Sequence, residues 1–317
     1  MGHAFIFPGQ GSQQVGMGRA LAEAFPAARH VFEEVDDALN DRLSRIVWEG
    51  PDSALTLTEN TQPALMAVSM AVVRALESEF GVRVAGAQFV AGHSLGEYSA
   101  LAAAGALTLG ETARLLRLRG RSMQEATPLG LGAMAALIGL DYEAARAVAE
   151  EARQGEVCEP ANDNAPGQVV VSGHKTAVER AVEIAKGRGA KRAILLNVSA
   201  PFHCALMDPA AHVMRDALDE AEMHAPKPAL VANVTAQPSQ DPAEIRRRLV
   251  EQVTATVRWR ESVAFMAENG VDLFCELGAG KVLAGLAKRC ADDVEAVSAG
   301  SPKDLEALAT RLNRKGS

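Results

Sequence analysis

The run Gly92-His93-Ser94-Leu95-Gly96-Glu97-Tyr98-Ser99 sets a G-x-S-x-G core between a strand-like and a helix-like segment. Gln88 to Ala91 reads as a short buried strand, and Tyr98 to Ala104 is rich in Ala and Leu and readily helical. A chain that passes from strand to helix in so few residues needs small residues two before and two after the serine. Only then can the backbone bend sharply and project the hydroxyl. The N–H groups that follow lie at a helix N-terminus, where developing negative charge is stabilised. The pattern predicts a nucleophile at Ser94. On these residues alone, a glycine-punctuated turn that happens to hold a serine carries similar weight.

Strand-like and helix-like runs alternate along most of the chain, which predicts an α/β architecture with a largely parallel sheet. The first strand spans His3 to Phe7 and enters the loop Pro8-Gly9-Gln10-Gly11-Ser12-Gln13, followed by a helix from Gly16 to Phe25. A long helix is expected over Pro63 to Phe80, with Pro63 in its first turn. Thr108-Leu109-Gly110-Glu111 has capping-box spacing and opens a helix running to Arg119. Between Gly132 and Asn197 the rhythm changes. Strands at Gly132 to Leu140, Val157 to Asn162, Gln168 to Ser172 and Arg192 to Val198 interleave with a helix capped by Asp141 and another over Thr176 to Lys186. That β-α-β-β-α-β order is the ferredoxin-like unit. The expected division is therefore a core of residues 1–131 and 198–317 and an inserted subdomain of residues 132–197. Further helices are expected at Met207 to Met223, Pro242 to Gln252, Arg260 to Glu268 and Lys281 to Cys290, with strands at Ala229 to Asn233 and Val271 to Glu276. A final strand and helix follow, and Arg311 to Ser317 are expected to fray.

At 317 residues, 48% hydrophobic and 23% charged, the chain fits a soluble globular protein. Its net charge of −8, without a dense Lys/Arg tract, argues against a nucleic-acid partner. Cys158, Cys204, Cys275 and Cys290 form no C-x-x-C pair, which argues against a disulfide framework or a structural zinc site and fits a reducing cytoplasm. Pro63 to Leu76 is too short for a bilayer span, and the N-terminus lacks the pattern of a signal peptide.

A serine hydroxyl needs a base within hydrogen-bond reach. His3, His30, His174, His212 and His224 sit at strand starts, helix ends, turns or polar faces, and His93 is expected to point away from its neighbour Ser94. His203, in Asn197-Val198-Ser199-Ala200-Pro201-Phe202-His203, ends a strand and a proline-shaped loop where the core resumes, and is the favoured candidate. The intervening acids Asp141 and Asp163 fall in the insert, so a full Ser-Asp-His triad is not supported. Leu277-Gly278-Ala279-Gly280-Lys281-Val282 lacks the first glycine and the Ser/Thr of a phosphate loop, and Gly9-x-Gly11 lacks the third glycine of a dinucleotide fingerprint. Arg119 reads either as an exposed basic helix end or as a guanidinium that grips a carboxylate.

Phe7-Pro8-Gly9-Gln10-Gly11-Ser12-Gln13, Thr61-Gln62-Pro63-Ala64-Leu65, the serine motif, Arg119-Gly120, Gly132-Ala133-Met134-Ala135, Pro201-Phe202-His203 and Glu276-Leu277-Gly278-x-Gly280-Lys281 run in order over essentially the whole chain. Together they resemble the malonyl-CoA:acyl carrier protein transacylase family. The resemblance implies an α/β hydrolase-like core with an inserted ferredoxin-like subdomain, and malonyl transfer from malonyl-CoA to the phosphopantetheine thiol of holo-acyl carrier protein. It implies Ser94 as nucleophile, His203 as base, a backbone carbonyl of Gln252 orienting that base, and backbone N–H groups of Gln10 and Leu95 as oxyanion hole. Arg119 corresponds to the carboxylate clamp. Phe202, just before the base, is an accepted family variant and is expected to disfavour branching at the acyl α-carbon. No metal or other cofactor is expected, coenzyme A being part of the substrate, and a cytoplasmic monomer without membrane contact is expected. A serine esterase or thioesterase and a silent carrier-docking module are the rival readings. Fatty acid synthesis is favoured over a polyketide pathway as the destination.

Overall fold

Four consecutive apolar residues, Ala4-Phe5-Ile6-Phe7, suit β1 (Gly2–Phe7) to a sheet covered on both faces. The computed structural model describes residues 2–315 and places β1 inside such a sheet. Phe5 and Phe7 pack with Leu65 and Leu101 on one face, while Ala4 and Ile6 pack with Trp259 and Phe274 on the other. The other strands are β2 (Phe89–Gly92), β3 (Gly132–Ile138), β4 (Cys158–Ala165), β5 (Gln168–His174), β6 (Arg192–Leu195), β7 (Ala229–Val231), β8 (Pro238–Ser239), β9 (Val271–Leu277) and β10 (Glu295–Ala299).

The larger sheet has the order β10-β9-β1-β2-β7-β8, parallel except for the short β8. The carboxyl ends of β1, β2, β7 and β9 therefore open on one rim, where α/β sheets build their ligand sites. The second sheet, β4-β5-β3-β6, is antiparallel throughout. Its outer face carries the helices Tyr142–Arg153 and Lys175–Gly187, which bury Val148, Ala149, Val178 and Ala181 against Ala135, Leu137, Val169 and Val171. Met134 and Val170, on the opposite face, join the main core. This is the hydrolase-like core with a ferredoxin-like insert that the sequence led us to expect. A parallel bridge from Asn162 to Val257 ties β4 to the segment after the helix Pro242–Gln252.

Several local expectations are corrected. The long helix begins at Thr58, so Pro63 lies inside it rather than in its first turn. A proline there forfeits the bond to the Glu59 carbonyl, and burial of most side chains from Thr58 to Leu76 outweighs that loss. Helices Pro26–Leu39, Leu43–Glu49 and Asp52–Leu55 were not anticipated, and the helix expected over Gly16 to Phe25 shortens to Arg19–Ala24. The last helix, Pro302–Lys315, includes most of the segment expected to fray, with Arg311 paired to Glu295; residues 316–317 lie outside the described residues. Among the described residues no helix is long and apolar enough to cross a membrane.

At the elbow the backbones of three segments touch. A Cβ on Gly92 would lie 1.9 Å from the Gly96 carbonyl oxygen, and one on Gly96 would lie 2.2 Å from that of Phe7. Neither neighbour is a side chain that could swing aside. Gly96→Ala should therefore cost at least about 1–3 kcal/mol of stability, read as a lower urea midpoint. An unchanged midpoint would contradict the close approach.

Candidate active site

Ser94 lies two residues past the end of β2 and adopts φ 54°. A non-glycine residue in this left-handed region persists only where its surroundings over-determine it. Here the Ser94 N–H donates to Asn233 Oδ1 at 2.8 Å, and the Ser94 carbonyl accepts from Gln252 Nε2 at 3.0 Å. Asn233, just beyond β7, is itself fixed by donating from Nδ2 to the Gly92 carbonyl at 2.7 Å. The hydroxyl is thereby aimed at His203, whose Nε2 lies 2.8 Å from Ser94 Oγ.

His203 also has a positive φ, 59°. Its Nδ1 lies 2.8 Å from the backbone carbonyl of Gln252, at the C-terminal end of the helix Pro242–Gln252. A carbonyl can only accept, so Nδ1 carries the proton. In the neutral ring Nε2 then offers a lone pair, and the Ser94 hydroxyl donates to it. Burial, with the nearby Arg119 charge second, lowers the His203 pKa to about 3, so the imidazole is neutral at neutral pH. Among the described residues no carboxylate partners it: Asp163 pairs with Arg260, and Asp141 caps its own helix by accepting from the Ala144 N–H.

Arg119 is not an exposed helix end. Its helix runs from Leu109 to Glu125, and the residue is only 1% exposed. Leu116, Arg119, Gly120 and Met123 share the buried face at helical spacing. A Cβ on Gly120 would come within 2.5 Å of the Thr58 carbonyl oxygen, so this glycine marks a tight helix crossing rather than a helix stop. The crossing brings Arg119 to Gln62, whose Oε1 accepts from Nη1 at 2.8 Å. Nη2 donates to Gln252 Oε1 at 2.8 Å and to Ser94 Oγ at 3.1 Å. Both amide acceptors are neutral, which leaves the buried charge without a bonded counter-ion. Burial pushes the Arg119 pKa down, yet a guanidinium stays protonated.

A cleft of about 580 Å³ opens over these groups, and Gln10, Leu95, Phe202, Ser94, His203 and Arg119 all border it. Thus every residue singled out from the sequence reaches one place, Gln252 from just beneath. His93 also borders the cleft, but its Nε2 lies 2.8 Å from Asn164 Oδ1 and its ring packs on Trp259, so it is engaged elsewhere than at the Ser94 hydroxyl. His174 accepts the Val157 N–H through Nδ1, a structural bond. The failed phosphate loop has a physical reason. The carboxylate of Glu276 accepts from the N–H groups of Leu283 and Ala284 and fills the helix N-terminus itself. A larger groove of about 800 Å³ at the subdomain junction is lined by paired charges, Arg260 with Asp163 and Arg258 with Glu261.

Sequence reasoning assigned nothing to Asn233, to Glu97, or to the side chains of Gln62 and Gln252. Glu97 is 1% exposed and accepts from Gln252 Nε2 at 2.7 Å and from the Asn233 N–H at 3.3 Å. Burial, the dominant effect, raises its pKa to about 7. An acidic residue in the first turn of the helix Gly96–Ala103 resembles an ordinary helix-end charge, so nothing local distinguishes it.

A hydroxyl at a strained elbow, a neutral imidazole bonded to it and a buried cation beside it define an enzyme of the acyl-transfer type. Residues 4–312 match the acyl transferase domain family. The malonyl CoA-acyl carrier protein transacylases of Escherichia coli K12 and Bacillus subtilis 168 are 45% and 44% identical over 304 residues, 96% of this chain and 97% and 95% of those proteins. The solved acyl-carrier-protein S-malonyltransferase of Bartonella henselae is 55% identical, with a TM-score of 0.96 over 99% of this chain and 100% of that one. A malonyl-transacylase solved with a type II PKS acyl-carrier protein is 43% identical, with a TM-score of 0.95 over 98% of this chain and 100% of that one. The chain belongs to the malonyl CoA-acyl carrier protein transacylase family.

Because burial penalises the imidazolium, the His203 ring should stay neutral as pH falls from 8 to 5. An NMR titration of its ring nitrogens in the free protein should show Nδ1 protonated and Nε2 bare throughout that range. A midpoint between 6 and 7 would contradict this electrostatic account.

Proposed function

We propose that the protein transfers malonyl from malonyl-CoA to the phosphopantetheine thiol of holo-acyl carrier protein through a malonyl ester on Ser94. The observation that carries this reading is that one oxygen, Ser94 Oγ, lies 2.8 Å from His203 Nε2 and 3.1 Å from Arg119 Nη2. A base and a fixed cation both within hydrogen-bond distance of the nucleophile suit a short acyl group that ends in a carboxylate.

His203 takes the hydroxyl proton as Ser94 attacks the thioester carbonyl. The oxyanion is held by the backbone N–H groups of Gln10 and Leu95. Collapse expels coenzyme A as a thiol, with the proton returned from His203 Nε2. The carrier thiol then gives its proton to His203, attacks the ester, and Ser94 leaves as the hydroxyl. Arg119 holds the malonyl carboxylate by charge-assisted bonds. Burial is the main cause of the low His203 pKa and the Arg119 charge adds to it; the bound carboxylate offsets that second contribution, so the base strengthens when the correct substrate is bound. Phe202 borders the cleft just before the base, and in this reading its large ring disfavours an α-branch. The reaction draws on no metal or redox group, and the protein acts as a cytoplasmic monomer.

The carrier protein is that of fatty acid synthesis in this reading. A polyketide carrier is the second possibility, supported by the relative solved with a type II PKS acyl-carrier protein.

Mixed with malonyl-CoA alone, the protein should release one equivalent of coenzyme A and gain one malonyl group, which holo-carrier protein then removes as malonyl-carrier. Ser94→Ala should abolish the adduct, and His203→Ala should slow acylation by about 10²–10⁴. Continuous release of free malonate at the rate of coenzyme A release would mark a thioesterase instead.

Arg119→Ala should lower malonyl kcat/KM by about 10² or more while sparing or improving acetyl transfer. Equal losses for both acyl groups would make Arg119 structural.

A further inference from the structure

A carboxylate buried without a charged partner is expensive, and Glu97 is such a group. Its hydrogen bonds run to Asn233 and Gln252 on other segments. We propose that Glu97 is a positioning residue that locks the Gln252 side-chain amide so that its oxygen holds Arg119 in place for a carboxylated acyl group. This rests on the acyl-transfer reading above.

The geometry is a chain of forced assignments. Asn233 Nδ2 donates to the Gly92 carbonyl, so Asn233 Oδ1 is an acceptor. Gln252 Nε2 then faces acceptors alone: Glu97 Oε2 at 2.7 Å, the Ser94 carbonyl at 3.0 Å and Asn233 Oδ1 at 3.3 Å. Its amide oxygen must therefore point the other way, where it accepts from Arg119 Nη2 at 2.8 Å. A flipped amide would set an NH₂ group against the guanidinium, donor against donor, and its oxygen against acceptors. Of the bonds that prevent the flip, the one to Glu97 is the shortest, and its acceptor carries charge when ionised.

Gln252 serves two partners at once. Its backbone carbonyl holds His203 Nδ1, while its side chain holds Arg119. Loss of the Glu97 anchor should therefore act unequally. The main-chain bond to the imidazole stays with the helix end, whereas the amide, and with it the guanidinium, is released. The signature is a change in acyl selectivity rather than a uniform loss of rate. The anchor needs an acceptor oxygen at this depth, and a carboxamide supplies one.

The test compares kcat/KM for malonyl-CoA and acetyl-CoA, with holo-carrier protein as acceptor, in Glu97→Met and Glu97→Gln. Methionine fills similar space but offers no oxygen. Glu97→Met should lower the malonyl-to-acetyl ratio roughly tenfold or more, as expected for a lost hydrogen bond to a charged group, and Glu97→Gln should restore most of it. Gln252→Met should lower the ratio similarly, and the Glu97→Met/Gln252→Met double variant should lose no more than Gln252→Met alone, because both act through one amide. An unchanged ratio in Glu97→Met, equal losses in the Met and Gln variants, or additive losses in the double variant would overturn the proposal. If Glu97→Met does not fold, an unchanged ratio in Gln252→Met overturns it and a lowered ratio supports it. Arg119→Ala in the same assay separates the two levels. A lowered ratio there with none in Glu97→Met removes only the positioning role, whereas no change in Arg119→Ala removes its premise as well.

Discussion

The bond from His203 Nδ1 to the carbonyl of Gln252 decides what kind of site this is. A carbonyl oxygen fixes the tautomer and the ring plane as a carboxylate would, but it brings no negative charge. That difference matters because Arg119 sits on the same hydroxyl. Two unit charges about 4 Å apart interact by about 4 kcal/mol at an effective dielectric of 20, enough to offset the charge of a guanidinium or to hold a histidine protonated. A carboxylate behind His203 would have competed with the substrate for Arg119. The neutral carbonyl leaves the cation for the acyl group and leaves the imidazole uncharged until a proton is transferred to it.

The same economy of charge recurs around the site. Arg119 is held by the amide oxygens of Gln62 and Gln252, and the carboxylate of Glu97 stands one residue further back, joined through the Gln252 amide. Ser94 and His203 both occupy the left-handed backbone region, each costing on the order of 1–3 kcal/mol. Ser94 is held by its bonds with Asn233 and Gln252, and the His203 ring by the Gln252 carbonyl; Asn233 reaches this rim because β2 and β7 are parallel neighbours, and Gln252 arrives at the end of the helix Pro242–Gln252. Sheet topology thus brings together residues that lie far apart in sequence.

What the sequence revealed were features with a local physical signature. The elbow glycines, the Thr108 and Asp141 caps and the β-α-β-β-α-β rhythm each depend on neighbours within a few residues, and each is present in the structure. Arg119 was half readable. The helix was expected to run to Arg119, whereas it continues through Gly120, which makes close contact with Thr58 that no local pattern discloses. Glu97, Asn233 and the Gln252 amide were invisible for the same reason. Their bonds span 136 residues from Asn233 to Glu97 and 155 from Gln252 to Glu97, and a buried Glu in a first helical turn looks like any exposed one.

A crystal structure of the protein after reaction with malonyl-CoA, in the absence of carrier protein, bears most directly on this account. It should show an ester on Ser94 Oγ, the ester carbonyl facing the N–H groups of Gln10 and Leu95, and the free carboxylate paired with the Arg119 guanidinium. An ester on another side chain, or a carboxylate turned to solvent with Arg119 still bonded only to Gln62 and Gln252, would contradict it.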